Sequence, residues 1–352
     1  VLYTAGLASG LASANKEYLE KLRADVLVFK SGVNYSTIES RIEFDKLRRI
    51  RLLDGVTEAG PIAFSSVKIV FDREVDSIDV SFIGVDPGKP GAPNAVLGDS
   101  LRFAHSKVVL VDQKVAEDSN VSVGDFIKLS STQGEEDEVY ELRVVGITDS
   151  QQYFFRPSIF VSLPVWDRYR PKATAGVYRN NPDVNVVAVL AKDSTSLAYL
   201  PEAISAVVDD VETTDIQTAY ESAPGYSEQQ ATLGTIQGFT LLIGTLVIGG
   251  FFQIQTLQKI PQIGMLKAIG TPDRVVASMA ILQIIFVTII GVLLGGLVTF
   301  GLVAGMPANI PIQFSGSSVL TALIALLLIG PVGGMVSIRL ALKVEPLTAL
   351  GM

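Results

Sequence analysis

The chain has 352 residues, 48% of them hydrophobic and only 18% charged, with a formal net charge of −8. It contains no cysteine and a single histidine, His105, so disulfides, cysteine-ligated zinc, thiol catalysis and paired-histidine metal sites are excluded. The shortage of charge is local: Val1–Asn15, Gln229–Gln258 and Val275–Ile338 hold no Asp, Glu, Lys or Arg, whereas Lys16–Glu228 reads as ordinary soluble protein.

In chain order, residues 1–14 are apolar but shorter than the ~20 residues a bilayer span needs. They are read as the outer end of a first, truncated transmembrane helix; a signal-peptide remnant is the alternative, without the basic start and small-residue cleavage site expected of one. Residues 15–228 form an extracytoplasmic domain of mixed period. Asn15–Arg23 continues the first helix, and Asp25–Phe29 is a strand ended by Ser31-Gly32. Ser36–Leu53 suits a helix with Lys46, Arg48, Arg49 and Arg51 on its exposed face. Val67–Phe71 and Ile78–Ile83 read as strands, and the Pro/Gly-rich Asp86–Asn94 as a loop. Lys107–Val111, Phe126–Leu129, Val139–Gly146, Ser158–Val161 and Asn185–Leu190 are further strands. Ser196–Val208 is a helix, and Asp215–Ser222 starts another. The pattern predicts a discontinuous α/β part, about 24–83 and 185–222, around a β-rich insert at about 96–182.

Residues 229–352 are the membrane part. Spans are expected near Leu233–Ile254, Val276–Val303 and Val319–Leu340, the last carrying Pro331 and a kink there. An outer loop at Met306–Ser317 contains Pro307, Asn309, Pro311 and Gly316. With the truncated first helix, this makes an α-helical bundle of four spans plus an α/β domain with a β-rich subdomain. After Gln229 the basic residues are Lys259, Lys267, Arg274, Arg339 and Lys343 and the acidic ones Asp273 and Glu345, or 5 − 2 = +3, leaving −8 − 3 = −11 for the rest. Basic loops stay in the cytoplasm, so the acidic domain lies outside. Nothing supplies the basic surface of a nucleic-acid binder. No ionisable residue falls within a span, which disfavours ion-coupled carriers. Gly234 and Gly238, Gly291 and Gly295, Gly301 and Gly305, and Gly330 and Gly334 are each spaced by four, the spacing that lets helices approach in a bundle or a dimer.

Catalytic readings fail one by one. The Gly-Lys pair, Gly88-Lys89, is followed by Pro90, so there is no phosphate-binding Gly-Lys-Ser/Thr loop. His105 is a structural or surface histidine, and Glu135–Glu138 a solvated hairpin tip. Tyr153, Phe154, Phe155, Trp166, Tyr169 and Tyr178 read as core, with an apolar face for a substrate or second protein as the other reading. No catalytic, cofactor-binding or metal-binding residue is expected.

The segment 258–274, QKIPQIGMLKAIGTPDR, lies on the cytoplasmic side. Pro261 opens a short helix, Ile263, Leu266 and Ile269 fall on one face, and Gly270 ends it. Lys267 is expected to face water or an acidic rim. Such a helix either packs on its own bundle and the headgroups or docks a cytoplasmic partner. Ile263-Gly264-Met265-Leu266-Lys267-Ala268-Ile269-Gly270 resembles the signature Ile-Gly-Ile/Leu-Leu-Arg/Lys-Ala-Leu/Ile-Gly of FtsX/MacB/LolC-type ABC transporter permeases, with Pro261-Gln262 where the family has Arg-Glu. Val108–Leu129 and Val144–Val161 resemble the family's outer-domain strands, and Glu345–Leu350 its Asp/Glu-Pro-x-x-Ala-Leu tail.

The resemblance implies a ferredoxin-like α/β part and a permease in the bacterial cytoplasmic membrane, multi-pass, with its large domain outside. It implies that Ile263, Gly264, Leu266, Lys267, Ile269 and Gly270 couple to a separate ABC ATPase, which holds ATP-Mg. It implies a second permease copy or paralogue, and the spacing of Gly234, Gly238, Gly291, Gly295, Gly301 and Gly305 leads us to expect that they pack helices in the bundle or at that dimer face. An adaptor or other outside partner also follows. The mechanism implied is mechanotransmission: ATP-driven motion reaches the outer domain for export or extraction of a substrate, or alternatively to regulate an enzyme such as a cell-wall hydrolase.

Overall fold

The computed structural model describes residues 1–71, 77–102, 106–153, 155–174, 176–177, 181–222, 226–306 and 312–342. His105, Phe154, Tyr178 and the tail at Glu345–Leu350 lie outside these. The chain divides into a helical unit, Val1–Leu11 with Glu228–Met352, and a sheet unit, Ala12–Ser227. Helix α1 (Leu2–Glu20) contributes to both.

Among the described residues the sheet unit has ten strands: β1 (Val26–Lys30), β2 (Val56–Val70), β3 (Ser77–Val85), β4 (Leu97–Gly98), β5 (Val108–Asp112), β6 (Phe126–Gln133), β7 (Glu136–Thr148), β8 (Ser158–Ser162), β9 (Val186–Ala191) and β10 (Val211–Thr214). They form one sheet in the order β10-β1-β9-β2-β3-β8-β5-β7-β4, with β6 pairing to β2 and β7. Pairing is antiparallel except β3 with β8 and β5 with β7. The strands between 96 and 182 therefore extend the sheet of the flanking segments. The β2 strand makes the join, since its 15 residues run past the expected Val67–Phe71 to meet β9 at one end and β6 at the other.

Alternate residues go to opposite faces of a strand, and both faces here are covered. Val26 and Val28 of β1 join one core with Phe82, Val109 and Ile159, while Leu27 and Phe29 join a second with Tyr18, Ile83 and Phe160. Two-sided burial is why Val26–Phe29 reads as an unbroken apolar run. The helices packed about the sheet are α2 (Phe44–Arg51), α3 (Gln113–Ser119), α4 (Leu163–Tyr169), α5 (Ser194–Val207) and α6 (Ile216–Glu221).

The helix expected over Ser36–Leu53 is confined to α2. Upstream, serine side chains compete for backbone groups: the Ser40 hydroxyl accepts from the Lys30 N–H, and Ile42 pairs with Val184 in an isolated bridge. Within α2, Leu47 and Ile50 are buried, and Arg51 is drawn to Asp86 at 2.7 Å. The acidic run begins in the β6–β7 turn at Glu135, continues into β7 and is solvated. Of the aromatic group, Tyr153, Trp166 and Tyr169 are core and Phe155 is 45% exposed.

Asp112 caps α3 from the core. Its carboxylate accepts from the N–H groups of Val115 and Ser158, each at 2.8 Å. Burial pushes it up to about 6, with the two N–H donors pulling the other way. A carboxyl raised in the folded state binds its proton more readily there, so this contribution to stability is present at low pH and is lost as pH rises from about 4 to about 6. Asp112→Ala orphans two buried N–H groups and should cost about 3 kcal/mol. Asp112→Asn keeps an acceptor without the charge, so its thermal unfolding should lie nearer wild type and be flatter between pH 4 and 6. Melts of the two variants that coincide would remove the capping role.

Candidate coupling helix and its bundle

Among the described residues the helical unit further holds α7 (Tyr226–Gln258), α8 (Ile260–Ala268), α9 (Asp273–Ala304) and α10 (Gly316–Leu342). Among the described residues α7, α9 and α10 are the three long and apolar enough to cross a membrane. Each extends past its expected span by a few residues, because the helix continues beyond the apolar run. α10 runs as one helix through Pro331.

Close approach decides how these helices pack. A Cβ at Gly333 of α10 would lie 2.6 Å from the Thr245 carbonyl oxygen of α7, and one at Gly249 would lie 2.8 Å from the Gly333 oxygen. On the α9 side, Gly334 abuts Ile284 and Gly330 abuts Thr288. Hydroxyls and amides then pin the same helices. The Ser337 hydroxyl donates to the Phe252 carbonyl at 2.9 Å and is paired with Thr256. Gln283 donates to Gln255 at 2.8 Å.

The glycines of the other four-residue pairs stand elsewhere. Positions Gly234, Gly238, Gly291, Gly295 and Gly301 have open space where a Cβ would go, and Gly305 meets only its own helix. Among the described residues they meet no neighbouring helix within 4 Å. Gly291 and Gly295 border a cleft of about 600 Å³, lined also by Gly244, Phe251, Val292 and Ile329.

The α8 helix is the expected short helix between α7 and α9, and its end has a specific cap. Gly270 sits at φ +93°, a left-handed conformation suited to glycine. The Gly270 N–H donates to the Lys267 carbonyl at 3.0 Å and the Thr271 N–H to the Leu266 carbonyl at 3.1 Å, the paired bonds of a Schellman ending. Gly264 is buried, and Ile263 and Leu266 are half-buried. The exposed apolar surface is instead Met265 (59%) and Ile269 (77%), with Pro261 and Ala268 beside them. The expected stripe is thus split: Ile263 and Leu266 turn toward the bundle, and Ile269 alone of the three faces out.

Of the two settings expected for Lys267, water or an acidic rim, the structure shows an acidic partner, in a position more buried than expected. Its side chain is only 11% exposed and pairs with Asp273 of α9 at 2.8 Å, while its ammonium donates to the Leu342 carbonyl at the end of α10, 2.6 Å away. A last-turn lysine satisfies an orphan carbonyl of another helix, so it ties α8 to α9 and α10 rather than facing water. Sequence reasoning missed Met265 as a surface residue; helical spacing from Ile269 could have found it, since positions four apart share a face.

A family model described as the MacB-like periplasmic core domain matches residues 1–207, and one described as the FtsX-like permease C-terminal region matches residues 234–346. A Staphylococcus haemolyticus protein named as a hemin transport system permease, HrtB, is 25% identical over all of this chain and 91% of its own. An uncharacterized ABC transporter permease of Mycobacterium tuberculosis is 21% identical over 99% of this chain and 91% of its own. The periplasmic region of MacB from Actinobacillus actinomycetemcomitans is 13% identical over 57% of this chain and 92% of that one, with a TM-score of 0.40. The two family matches, in this order along one chain with membrane-length apolar helices in the second, make the protein a member of the FtsX/MacB-type family of ABC transporter permeases.

Proposed function

We propose that the chain is the permease half of an ABC exporter in the bacterial cytoplasmic membrane, driven through α8 by a separate ATPase subunit. The observation that carries this reading is the placement of α8. It offers Met265, Ala268 and Ile269 to a partner while Lys267 holds it to the start of α9 and the end of α10. A push on α8 is then delivered to both helices at once, and not absorbed by a loose loop. Ile263, Gly264 and Leu266 seat the helix, and Gly270 fixes its exit.

Binding and hydrolysis of ATP-Mg belong to the ATPase in this reading. The sheet unit, Ala12–Ser227, lies outside the membrane and receives the motion through α1 and α7, the helices on which the chain passes between the two units. A second permease copy or paralogue completes the transporter, and the open positions Gly234, Gly238, Gly291, Gly295, Gly301 and Gly305 supply surfaces for it. The relatives named for hemin transport suggest a hemin-like amphipathic substrate.

The test is co-expression with its ATPase and reconstitution in nanodiscs. We expect the ATPase to co-purify and its turnover to rise with hemin. Failure of the ATPase to associate would sink the permease mechanism. Association without a hemin response would sink only the substrate.

A further inference from the structure

A second cavity lies wholly within the sheet unit. It has a volume of about 600 Å³, within the ~300–1,000 Å³ range of small-molecule sites. One side is aromatic: the Phe64 and Tyr153 rings lie 4.7 Å apart, and Trp166 carries the Arg170 guanidinium 5.1 Å over its ring. Ser65, Ser66 and Ser81 add hydroxyls along β2 and β3.

The charge on its walls runs against that of the chain around it. Among the described residues, Arg41, Arg156 and Arg170 line the cavity with one carboxylate, Asp183. The Asp167 carboxylate near Arg170 is buried and is shared between Arg170 at 3.0 Å and Lys172 at 3.6 Å. Yet the chain ahead of the membrane helices carries −11 overall, so a general excess of base does not account for the cluster. The three arginines come from separate places in the sequence: before α2, before β8 and after α4. Folding brings like charges together at a cost. The Arg41 guanidinium is pulled below its usual range by partial burial and then by the charge of Arg170, with Asp183 opposing.

Backbone and hydroxyl groups hold two of these side chains in place. Arg41 Nη1 donates to the carbonyls of Ile38 and Ser40, both at 2.6 Å, and Arg156 Nη1 donates to the Ser66 hydroxyl. Each bond uses one corner of a fork with five N–H donors. Guanidinium forks beside aromatic faces suit a planar group carrying carboxylates or similar oxyanions.

We propose that this cavity is a binding site for a small aromatic organic anion. The ring system would lie against Phe64, Tyr153 and Trp166, and its acidic groups would meet Arg41, Arg156 and Arg170, relieving the repulsion between Arg41 and Arg170. The site is independent of what the membrane helices transport and of how they are driven.

The probe is pyrene trisulfonate dye (8-hydroxypyrene-1,3,6-trisulfonate), whose charge keeps it out of a neutral bilayer. Fluorescence anisotropy is measured on the full chain in zwitterionic nanodiscs. We expect saturable binding that Arg41→Gln and Arg156→Gln each weaken about tenfold, the effect of losing one charge-assisted contact. Arg48→Gln, which removes the same charge from the exposed face of α2, should leave affinity unchanged. Matching elution of all variants establishes that they fold. Absence of saturable binding to the wild type, or equal affinity for Arg41→Gln, Arg156→Gln and Arg48→Gln, overturns the proposal.

Discussion

Aspartate at Met265 or at Ile269 is expected to weaken association with the ATPase at least tenfold and to leave the helical unit folded. Both side chains are largely uncovered by the chain, 59% and 77% exposed, although both are strongly apolar. Burying each against a partner is worth ~1.5–3 kcal/mol, and a charge there would forfeit that and add desolvation. Since ~1.4 kcal/mol is a factor of ten, either variant alone should be visible in a pull-down. Leu266→Asp is a poorer test, because Leu266 is half-buried and its loss would disturb the seat of α8 as well. Lys267→Met separates the two roles of the helix. It removes the tie to Asp273 and Leu342 and keeps the exposed face. It should therefore preserve ATPase binding while lowering transport per ATP hydrolysed. Full binding and full stimulation by both aspartate variants would mean that α8 is not the coupling element.

Leucine at Gly333 is expected to prevent α7 and α10 from packing. The obstruction on the α7 side is backbone, with the Thr245 oxygen 2.6 Å and the Gly249 nitrogen 3.1 Å from where a Cβ would sit. Flexible side chains give way to an added group; helix backbone does not, and the helices must separate. Overpacking costs typically ~1–3 kcal/mol, and this site belongs at or above the upper end. Parting the helices would also cost the bond from Ser337 to the Phe252 carbonyl. The variant should lose its monodisperse peak in detergent or show a clearly lowered melting temperature. Gly291→Leu is the matched control, because that position has open space in the chain, so the isolated fold should tolerate it. Equal stability of Gly333→Leu and wild type would contradict the packing described for the bundle.

Several features were legible in the sequence because they are local. Uncharged runs of ~20 residues or more mark helices that suit a bilayer whatever their neighbours do. Pro261 and Gly270 bound α8 through the missing N–H of one and the left-handed backbone of the other. A helix is expected from Asp215, and the Asp215 side chain caps α6 by accepting from the Thr218 N–H. The turn beside the acidic run could be read from Gly134 and the strand-like stretches flanking it. The matched families account for most of the chain by the same logic of local segments in a fixed order.

Other features depend on what comes next to what, and no local pattern encodes that. Gly330 and Gly334 meet α9 while Gly291 and Gly295 meet open space, although the spacing is the same, because only a neighbouring helix distinguishes a contact from a gap. Lys267 reads as facing water or an acidic rim; Asp273 supplies the acid, but the carbonyl at the end of α10 beside it has no local signal. The segments around 96–182 share one sheet with their flanks because β2 continues far enough to pair with β9 and β6. Arg41, Arg156 and Arg170 come together at one cavity from distant positions in the chain. The sequence by itself determined the membrane-compatible helices, α8 and the position of most strands, since those follow from composition and period along the backbone. The tertiary structure alone decided which side chains are neighbours, since contact is a property of the packed elements and not of the order in which they are strung.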